Sequence, residues 1–328
     1  MTEKLVEVRG LHVRFVSRDA TVHAVNGVDF DLMPRETLCI LGESGSGKSV
    51  TLRALMRLNP PRRTVMAGTV RVGGHDVRAA SERQLADIRG GVVSMIFQEP
   101  ATALDPVFTV GQQIRETIMR HEPVGRAAAD RRALELLEVV QIPSARRRLD
   151  SYPHELSGGL RQRAMIAIAL SCRPKLLLAD EPTTALDATV QIQILLLLRQ
   201  LQQDMGMGVI FVTHDLGVAG EIADRVAVMY AGRFVEVGPV GNLMRAPLHP
   251  YAQGLLGATV HAGARGTRLT TIPGAPPNLE HLPTGCSFAP RCAYVEDACL
   301  PAVPAFRSPV PGQAARCVRV DGPMQDSA

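Results

Sequence analysis

The stretch 42-GESGSGKS-49 has the spacing G-x-x-x-x-G-K-[ST]. It follows the apolar segment TLCIL and precedes VTLRALMRL, so a strand, a loop and a helix are predicted in the order that this pattern requires. The glycines let the backbone curl so that successive N–H groups point at phosphate oxygens, and the helix adds its positive N-terminal end. Lys48 would reach the β- and γ-phosphates, and the Ser49 hydroxyl would bind Mg²⁺. A chance Gly/Ser-rich turn lacks this context, so the sequence predicts nucleotide binding at residues 42–49, the phosphate loop.

The phosphate loop alone does not distinguish kinases, GTPases and ATPases, but further candidate residues follow it. The segment 156-LSGGLRQR-163 opens a helix with Ser157 at the N-cap, which makes a second candidate anion site. The apolar strand KLLLAD ends in Asp180 and is followed by Glu181, at the sheet edge where α/β proteins bind ligands. Asp180 suits Mg²⁺ binding and Glu181 suits polarisation of an attacking water. The strand GVIFVTHD places His214 at the same edge, where it would hydrogen-bond the γ-phosphate or the water.

The composition is that of a globular protein with one large domain and an extension. The chain has 328 residues, of which 46% are hydrophobic and 21% charged. The net charge is only 36 − 32 = +4 and there is no Trp, so no nucleic acid is expected as a partner. The N-terminus lacks the apolar core of a signal peptide, and no run approaches the roughly 18 apolar residues of a membrane helix. We therefore expect a cytosolic protein with reduced thiols.

The order of predicted elements indicates an α/β fold. The first part contains short strands, with LVEVRG and LHVRFV as separate strands and a hairpin around Gly73 and Gly74. Later, apolar strands alternate with helices, which favours a parallel sheet covered on both faces. One of these helices begins after an N-cap at Asp187 and ends at Gly206.

Domain boundaries follow from the same patterns. Residues 99–172 are predicted to be mainly helical, and 13 of the 23 prolines lie in the last 90 residues. We predict an α/β domain over 1–236, with a helical subdomain at about 99–172, and a compact, loop-rich C-terminal extension over 237–328.

Five segments occur together in the order and approximate spacing of an ABC-transporter nucleotide-binding subunit: GESGSGKS, LSGGLRQR, LLLADEP, TALD and VTHD. Residues 1 to about 236 resemble that family. The resemblance implies a P-loop NTPase fold with a parallel-sheet core, an antiparallel β subdomain and a helical subdomain. It implies ATP and Mg²⁺ as cofactors, and hydrolysis in a head-to-tail dimer. In that dimer the Ser157-Gly158-Gly159 helix of one subunit completes the ATP site of the other.

The resemblance also implies roles for single residues. Gln98 corresponds to the Q-loop glutamine that touches Mg²⁺, Asp187 to the end of the D-loop, and Phe15 to the adenine-stacking residue, which is usually Tyr. Leu160 stands where Gln is commonest. The implied catalytic residues are Glu181, His214, Gln98 and Lys48. The implied nucleotide contacts are Phe15, Gly42, Glu43, Ser44, Gly45, Ser46, Gly47, Lys48, Ser49, Val50, Asp180, Ser157, Gly158, Gly159 and Asp187, and the implied Mg²⁺ ligands are Ser49, Gln98 and Asp180.

Soluble, non-transport ABC ATPases are the alternative class. They carry two cassettes or a long coiled-coil insertion, whereas this chain has one cassette and only 108 positions separate Ser49 from Ser157. The segments MIFQEPATALDP, LDATVQIQILLLL, HPYAQGLL and TIPGAPPNL resemble the subfamily that imports peptides, with departures at Ala101 and Asp105. That resemblance implies import of di- or oligopeptides by a peripheral subunit at the cytoplasmic face of the membrane. Its implied partners are a second, different ATPase subunit, two permease subunits and a solute-binding protein; nickel and glutathione remain alternative cargoes.

Four of the six cysteines lie in the extension, at Cys286, Cys292, Cys299 and Cys317. In a reducing compartment this indicates metal binding or redox chemistry before disulfides. Structural zinc usually has ligand pairs about two to four residues apart, and these spacings are wider. Four thiolates without close pairs suit an iron–sulfur cluster better, and the family resemblance implies a [4Fe–4S] cluster here. Zinc, or no metal with the cysteines as small buried hydrophobic residues, are the alternatives.

Overall fold

The computed structural model describes residues 3–184, 186–258 and 271–322. In chain order its strands are β1 (Val6–Val16), β2 (Thr21–Leu32), β3 (Thr37–Leu41), β4 (Thr64–Val72), β5 (His75–Asp76), β6 (Val93–Ile96), β7 (Leu176–Asp180), β8 (Gly208–Thr213), β9 (Arg225–Tyr230), β10 (Arg233–Pro239), β11 (Arg307–Val310) and β12 (Gln313–Ala315). Its α-helices are α1 (Lys48–Ala54), α2 (Glu82–Gly91), α3 (Pro100–Ala103), α4 (Val110–His121), α5 (Arg126–Val139), α6 (Ala145–Arg148), α7 (Gly158–Leu170), α8 (Ala188–Met205), α9 (Leu216–Ile222), α10 (Val240–Arg245) and α11 (Pro250–Gly257). Short 3₁₀ helices cover Pro153–Glu155, Ala289–Arg291 and Asp297–Cys299. Ala185 of the TALD segment, and residues 259–270 and 323–328 of the predicted extension, lie outside the described residues.

The chain divides into two compact units, of which the first comprises Met1–Leu5, Met33–Glu36 and Val72–Phe211. In it β6 and β7 are parallel, with Ile96 opposite Ala179, and β8 lies next to β7. Every residue of β7 and β8 is buried, as expected for apolar strands covered on both faces. Helices α3 to α7 occupy the stretch that the sequence predicts to be helical.

Capping residues set the helix ends in this unit. The Asp187 carboxylate accepts the Val190 N–H at 3.0 Å at the start of α8, and α8 ends at Gly206, whose φ is 64°. The Ser157 hydroxyl accepts the Leu160 N–H at 3.4 Å at the start of α7. The predicted caps are therefore confirmed, because each depends on residues close together in the sequence.

The second unit comprises Val6–Leu32, Thr37–Arg71 and Val212–Ala328. Strands β2, β1 and β4 are neighbours in one sheet. Strands β11, β12, β10, β9 and β3 are neighbours, in that order, in a second sheet; β3 and β9 are parallel, and the other neighbouring pairs among these five are antiparallel. Because β11 and β12 come from the predicted extension, the extension adds two strands to this sheet.

The two strands predicted near the N-terminus are one strand, β1, so this prediction is wrong. Gly10 has a φ of 54°, and its N–H donates to Asp29 Oδ1 at 2.6 Å. The pairing of β1 with β2 shifts register between Val8 and Leu11 and then continues. The glycine therefore marks a bulge inside a strand and not a turn between strands. The predicted hairpin is confirmed, since β4 and β5 flank Gly73 and Gly74.

Candidate active site

The phosphate loop connects β3 to α1 in the second unit. Gly47 has a φ of 106°, and a Cβ atom there would lie 2.3 Å from the carbonyl oxygen of Ala24. A Cβ atom at Gly42 would lie 2.2 Å from the carbonyl oxygen of Met229. Both positions therefore require glycine, and close packing against backbone on two sides fixes the conformation of the loop.

Lys48 is buried within this loop, with only 4% of its surface exposed. Its Nζ donates to the carbonyl oxygens of Gly42 at 2.8 Å and Glu43 at 3.0 Å. The Ser46 hydroxyl oxygen is buried and, in the described part of the chain, has no hydrogen-bond partner. A buried ammonium, an unpaired hydroxyl and a helix N-terminus together offer the donors that an oxyanion satisfies. The arrangement suits the phosphates of a nucleotide.

In the first unit, the register of the parallel strands β6 and β7 determines where Asp180 and Glu181 lie. Asp180 ends β7 and is 1% exposed, and Glu181 has a φ of 45°, a left-handed conformation that is strained for a residue with a side chain. Since Ile96 of β6 lies opposite Ala179 of β7, the residues after both strands emerge at the same edge. There Gln98 Nε2 donates to Glu181 Oε2 at 3.3 Å. The carboxylate is thus oriented by an amide from the segment that follows the neighbouring strand.

Thr184 is a contact that the sequence reasoning missed. Its hydroxyl donates to the same Glu181 Oε2 at 3.1 Å. The available signal was its place in the TALD segment, three residues after Glu181. Glu181 Oε2 therefore accepts hydrogen bonds from two side chains, which restrain the carboxylate.

The residues 157–159 lie at the N-terminus of α7, with Ser157 and Gly158 exposed and Gly159 half-buried. A Cβ atom at Gly159 would lie 2.9 Å from Val190 Cγ1, so α7 begins close to the start of α8. Asp187 is exposed at that start. Two helix N-termini of the first unit are thus close together and open to solvent, where an anion can approach.

Phe15 and His214 belong to the second unit, like the phosphate loop. Phe15 is half-buried on β1, opposite Val22 of β2. His214 is exposed directly after β8, and the next residue, Asp215, caps α9 by accepting the N–H of Gly217 at 2.7 Å. The cap fixes the backbone that carries His214.

Tyr251 is a second residue that sequence reasoning did not single out, although it lies in the quoted segment HPYAQGLL. Its hydroxyl accepts the N–H of Glu43 at 2.9 Å, and its ring packs 4.6 Å from that of Tyr230, between centroids. The extension therefore contacts the phosphate loop directly.

The four cysteines of the extension lie near one another. The Cys286 N–H donates to the carbonyl oxygen of Cys299 at 2.8 Å. Burial raises the pKa of the Cys286 thiol, and negative charge at Cys299 and Cys317 raises it further. Burial also raises the pKa of Cys317, with a further increase from charge at Cys292 and Cys299. Yet within residues 3–184, 186–258 and 271–322, no group of three or more His, Cys, Asp or Glu side chains is arranged to hold a metal ion.

Among the described helices, none combines the length and the apolar character that crossing a membrane requires.

Comparisons with known proteins extend these observations. A family model described as ABC transporter matches residues 25–184, and one described as the C-terminal region of oligopeptide/dipeptide transporters matches residues 235–299. A Brucella melitensis protein, provisionally named a peptide import ATP-binding protein, is 49% identical over 329 residues, which is 97% of each chain. A Brucella abortus relative with the same kind of name is 48% identical over 316 residues, covering 96% of this chain and 95% of its own.

Solved structures give the same result for the fold. The dimeric ATP-binding cassette MJ0796, in a post-hydrolysis state with ADP and Pi, has a TM-score of 0.65 at 27% identity and covers 72% of this chain and 98% of its own. The protein cbiO1 of Clostridium perfringens, part of an ABC transporter complex, has a TM-score of 0.63 at 26% identity, covering 74% and 92%. The predicted α/β fold of an ABC ATPase is therefore confirmed. With relatives this similar over nearly its whole length, the chain belongs to the ABC transporter family.

Proposed function

We propose that this chain is the ATP-hydrolysing subunit of an ABC importer and powers the import of di- or oligopeptides across the cytoplasmic membrane. The observation that carries the ATPase part is the phosphate loop, a glycine-fixed loop with buried Lys48 and the unpaired Ser46 hydroxyl. The choice of cargo is supported by the relatives named for peptide import and by the match to the C-terminal region of oligopeptide/dipeptide transporters.

The phosphate loop and Val50 bind the phosphates of ATP. Lys48, which is hydrogen-bonded to loop carbonyls, would exchange these contacts for the β- and γ-phosphates. The Mg²⁺ ligands are the Ser49 hydroxyl, the Asp180 carboxylate and the Gln98 amide oxygen, all of them the hard oxygen donors that Mg²⁺ prefers.

Glu181 is the general base that polarises the attacking water. Gln98 donates through its amide nitrogen to Glu181, which leaves its amide oxygen for Mg²⁺. One side chain can thus orient the base and bind the metal together. His214 hydrogen-bonds the γ-phosphate or the water, and Phe15 stacks on the adenine.

The segment Ser157-Gly158-Gly159 binds the γ-phosphate held by a second ATPase subunit, and Asp187 lies at the same surface. The support is the exposure of Ser157 and Gly158 at the start of α7, because the N–H groups of a helix N-terminus can bind an anion. The partner is a second ATPase subunit, in our proposal a different chain.

A groove of about 690 Å³ in the helical subdomain is the proposed docking site for a permease subunit. Two exposed apolar side chains, Phe108 and Met119, are among the residues that line it, and each is 45% exposed. A groove lined by both apolar and charged side chains suits an amphipathic helix of a membrane protein. The chain then lies peripherally at the cytoplasmic face, with two permease subunits and a solute-binding protein completing the importer. The domain division at residue 236, with the helical subdomain at about 99–172, is part of this proposal.

The [4Fe–4S] cluster at Cys286, Cys292, Cys299 and Cys317 is a separate proposal. It is supported by the proximity of the four thiols and by a cavity of about 400 Å³ lined by Cys286 and Cys299. Buried thiols with raised pKa values need a neighbouring cation to become thiolate ligands. The present arrangement of the four side chains is not itself a metal site, and no step of hydrolysis depends on the cluster.

The test is uptake of a labelled di- or tripeptide into cells that lack the native gene and carry either the native chain or Glu181→Gln. We expect uptake only with the native chain. Uptake with the native chain that is no greater than with Glu181→Gln or with neither protein would mean that this chain drives no peptide import. Nickel and glutathione uptake would then be measured in the same strains, and ATPase activity without any transport would favour a soluble ABC ATPase.

A further inference from the structure

Arg291, in the C-terminal extension, binds a residue of the phosphate loop. It ends the 3₁₀ helix Ala289–Arg291, and its side chain is 5% exposed. Its Nη1 donates to Glu43 Oε2 at 2.8 Å, and its Nη2 donates to Glu43 Oε1 at 3.1 Å. This bidentate geometry is the one in which arginine binds a carboxylate most strongly.

The other contacts of Arg291 restrict it to one conformation. Its Nε donates to the carbonyl oxygen of Pro273 at 2.9 Å, and its Nη1 also donates to the Tyr230 hydroxyl at 3.3 Å. The guanidinium carbon lies 5.7 Å from the centre of the Tyr230 ring and 5.9 Å from that of Phe288. The hydrogen bonds to Glu43 raise the pKa of Arg291, so the side chain stays charged.

Glu43 connects these contacts to the phosphate-binding lysine. Its carbonyl oxygen accepts from Lys48 Nζ at 3.0 Å, and its N–H donates to the Tyr251 hydroxyl at 2.9 Å. The carboxylate, the N–H and the carbonyl of Glu43 thus each have a partner, and two of these partners lie beyond residue 237. A displacement of Glu43 would move an oxygen to which Lys48 is hydrogen-bonded.

The extension also forms one wall beside the loop. A cavity of about 250 Å³ is lined by residues 43–46 on one side and by Pro276, Pro277 and Leu279 on the other. The Leu279 carbonyl accepts the N–H of His23 on β2 at 2.9 Å. The extension is therefore anchored both to the phosphate loop and to β2. The Ala24 carbonyl, which leaves no room for a side chain at Gly47, is also on β2.

We propose that Arg291 is a positioning residue for the phosphate loop. By binding Glu43, it fixes the loop in the conformation that accepts nucleotide phosphates, so that nucleotide affinity depends on docking of the C-terminal extension. This inference rests on the proposed function, because it requires that the loop binds ATP. By linkage, ATP binding must favour the docked extension by the same factor.

The test measures the dissociation constant of a non-hydrolysable ATP analogue with Mg²⁺ for the full chain. Arg291→Ala should raise this constant about 5- to 50-fold, within the usual range of coupling between two sites. Arg291→Lys should give a smaller increase, because an ammonium cannot bind both carboxylate oxygens in the same fork. Arg307→Ala, which removes an arginine from β11 of the same extension, is the matched control and should leave the constant unchanged.

A double-mutant cycle decides whether Arg291 acts through Glu43. In the Glu43→Ala background, Arg291→Ala should have no further effect on the dissociation constant. In steady-state ATPase assays of the native chain and Arg291→Ala, the KM for ATP should rise much more than kcat falls. If Arg291→Ala does not fold, Arg291→Lys and Glu43→Gln provide the same comparison, since each keeps part of the pair.

The outcomes separate the two proposals. If the native chain does not bind the analogue, the proposed function fails, and this inference fails with it. If the native chain binds and folded Arg291 variants bind equally well, only the inference fails. An equal loss with and without Glu43 would also refute it, because Arg291 would then act by another route.

Discussion

His249 should make the stability of the protein depend on pH. The residue precedes α11 and is 1% exposed. Its Nδ1 accepts the N–H of Tyr251 at 3.1 Å, and its ring centroid lies 5.8 Å from that of Phe288. Burial lowers the pKa of His249 from 6.5 to about 4. The folded protein therefore keeps this imidazole neutral at pH values where the unfolded chain would protonate it.

The sign and size of the effect follow from this difference. Between pH 6.5 and about 4 the unfolded state binds the proton more readily, so the free energy of unfolding decreases as the pH falls. The full difference corresponds to about 3.4 kcal/mol, at roughly 1.36 kcal/mol for each pKa unit. Between pH 7 and pH 5 the expected loss is about 2 kcal/mol.

The measurement is urea unfolding at pH 7 and pH 5, followed by circular dichroism since the chain has no Trp. His249→Asn is the control, because Asn can still accept the Tyr251 N–H as an N-cap but does not titrate. Nearby Glu236 acts in the opposite direction: burial raises its pKa, so its contribution to stability is lost as the pH rises through that raised value. Glu236 is present in both proteins. An equal pH 7 to pH 5 change in the native and His249→Asn proteins would therefore refute the role of His249.

Three further predictions concern the candidate sites. Lys48→Ala should abolish ATP binding or lower ATP hydrolysis at least about 100-fold, since it removes the buried ammonium of the phosphate loop; normal turnover would exclude the loop as the ATP site. Glu181→Gln keeps the shape of the base but removes its charge, so with ATP and its partner ATPase subunit it should accumulate as an ATP-bound dimer in size-exclusion chromatography; a monomer with native turnover would contradict its role as the base. Cys292→Ser should lower the iron content of anaerobically purified protein and destabilise the extension; unchanged iron would show that Cys292 is not a ligand, and zinc or no metal in the native protein would decide for the alternatives.

Local signals explain which parts of the fold were predictable. Gly206, with a φ of 64°, ends α8 where the sequence predicts. Asp187 caps the start of α8 by accepting the N–H of Val190, three positions later. The phosphate loop was equally predictable, because its strand, its glycines and its helix are contiguous in the sequence. Gly10 shows the limit of the same reasoning: a glycine with positive φ indicates either a turn or a bulge, and only the pairing partner β2 decides between them.

Contacts between distant residues could not be predicted in this way. Arg291 and Glu43 are 248 positions apart, and no residue near either one in the sequence indicates that the two side chains bind each other. Thr184 lies close to Glu181 in sequence, yet its contact depends on the left-handed backbone of Glu181, which no propensity predicts. Likewise the pairing of β12 with β10 depends on the return of a Pro-rich segment to the sheet.

The docking of the extension is specified mainly by buried polar groups. Glu236 is fully buried and accepts hydrogen bonds from the N–H groups of Leu248 and His249 and from Gln313 Nε2. Such groups add little net stability when paired, but leaving one unpaired costs about 3–5 kcal/mol. Apolar contacts of the extension, such as those around Val320, tolerate small shifts, whereas a shift would leave the Glu236 carboxylate without its donors. These hydrogen bonds therefore fix the position of a Pro-rich segment that has few helices or strands. Because the segment is fixed, Arg291 can hold its guanidinium in one place beside Glu43.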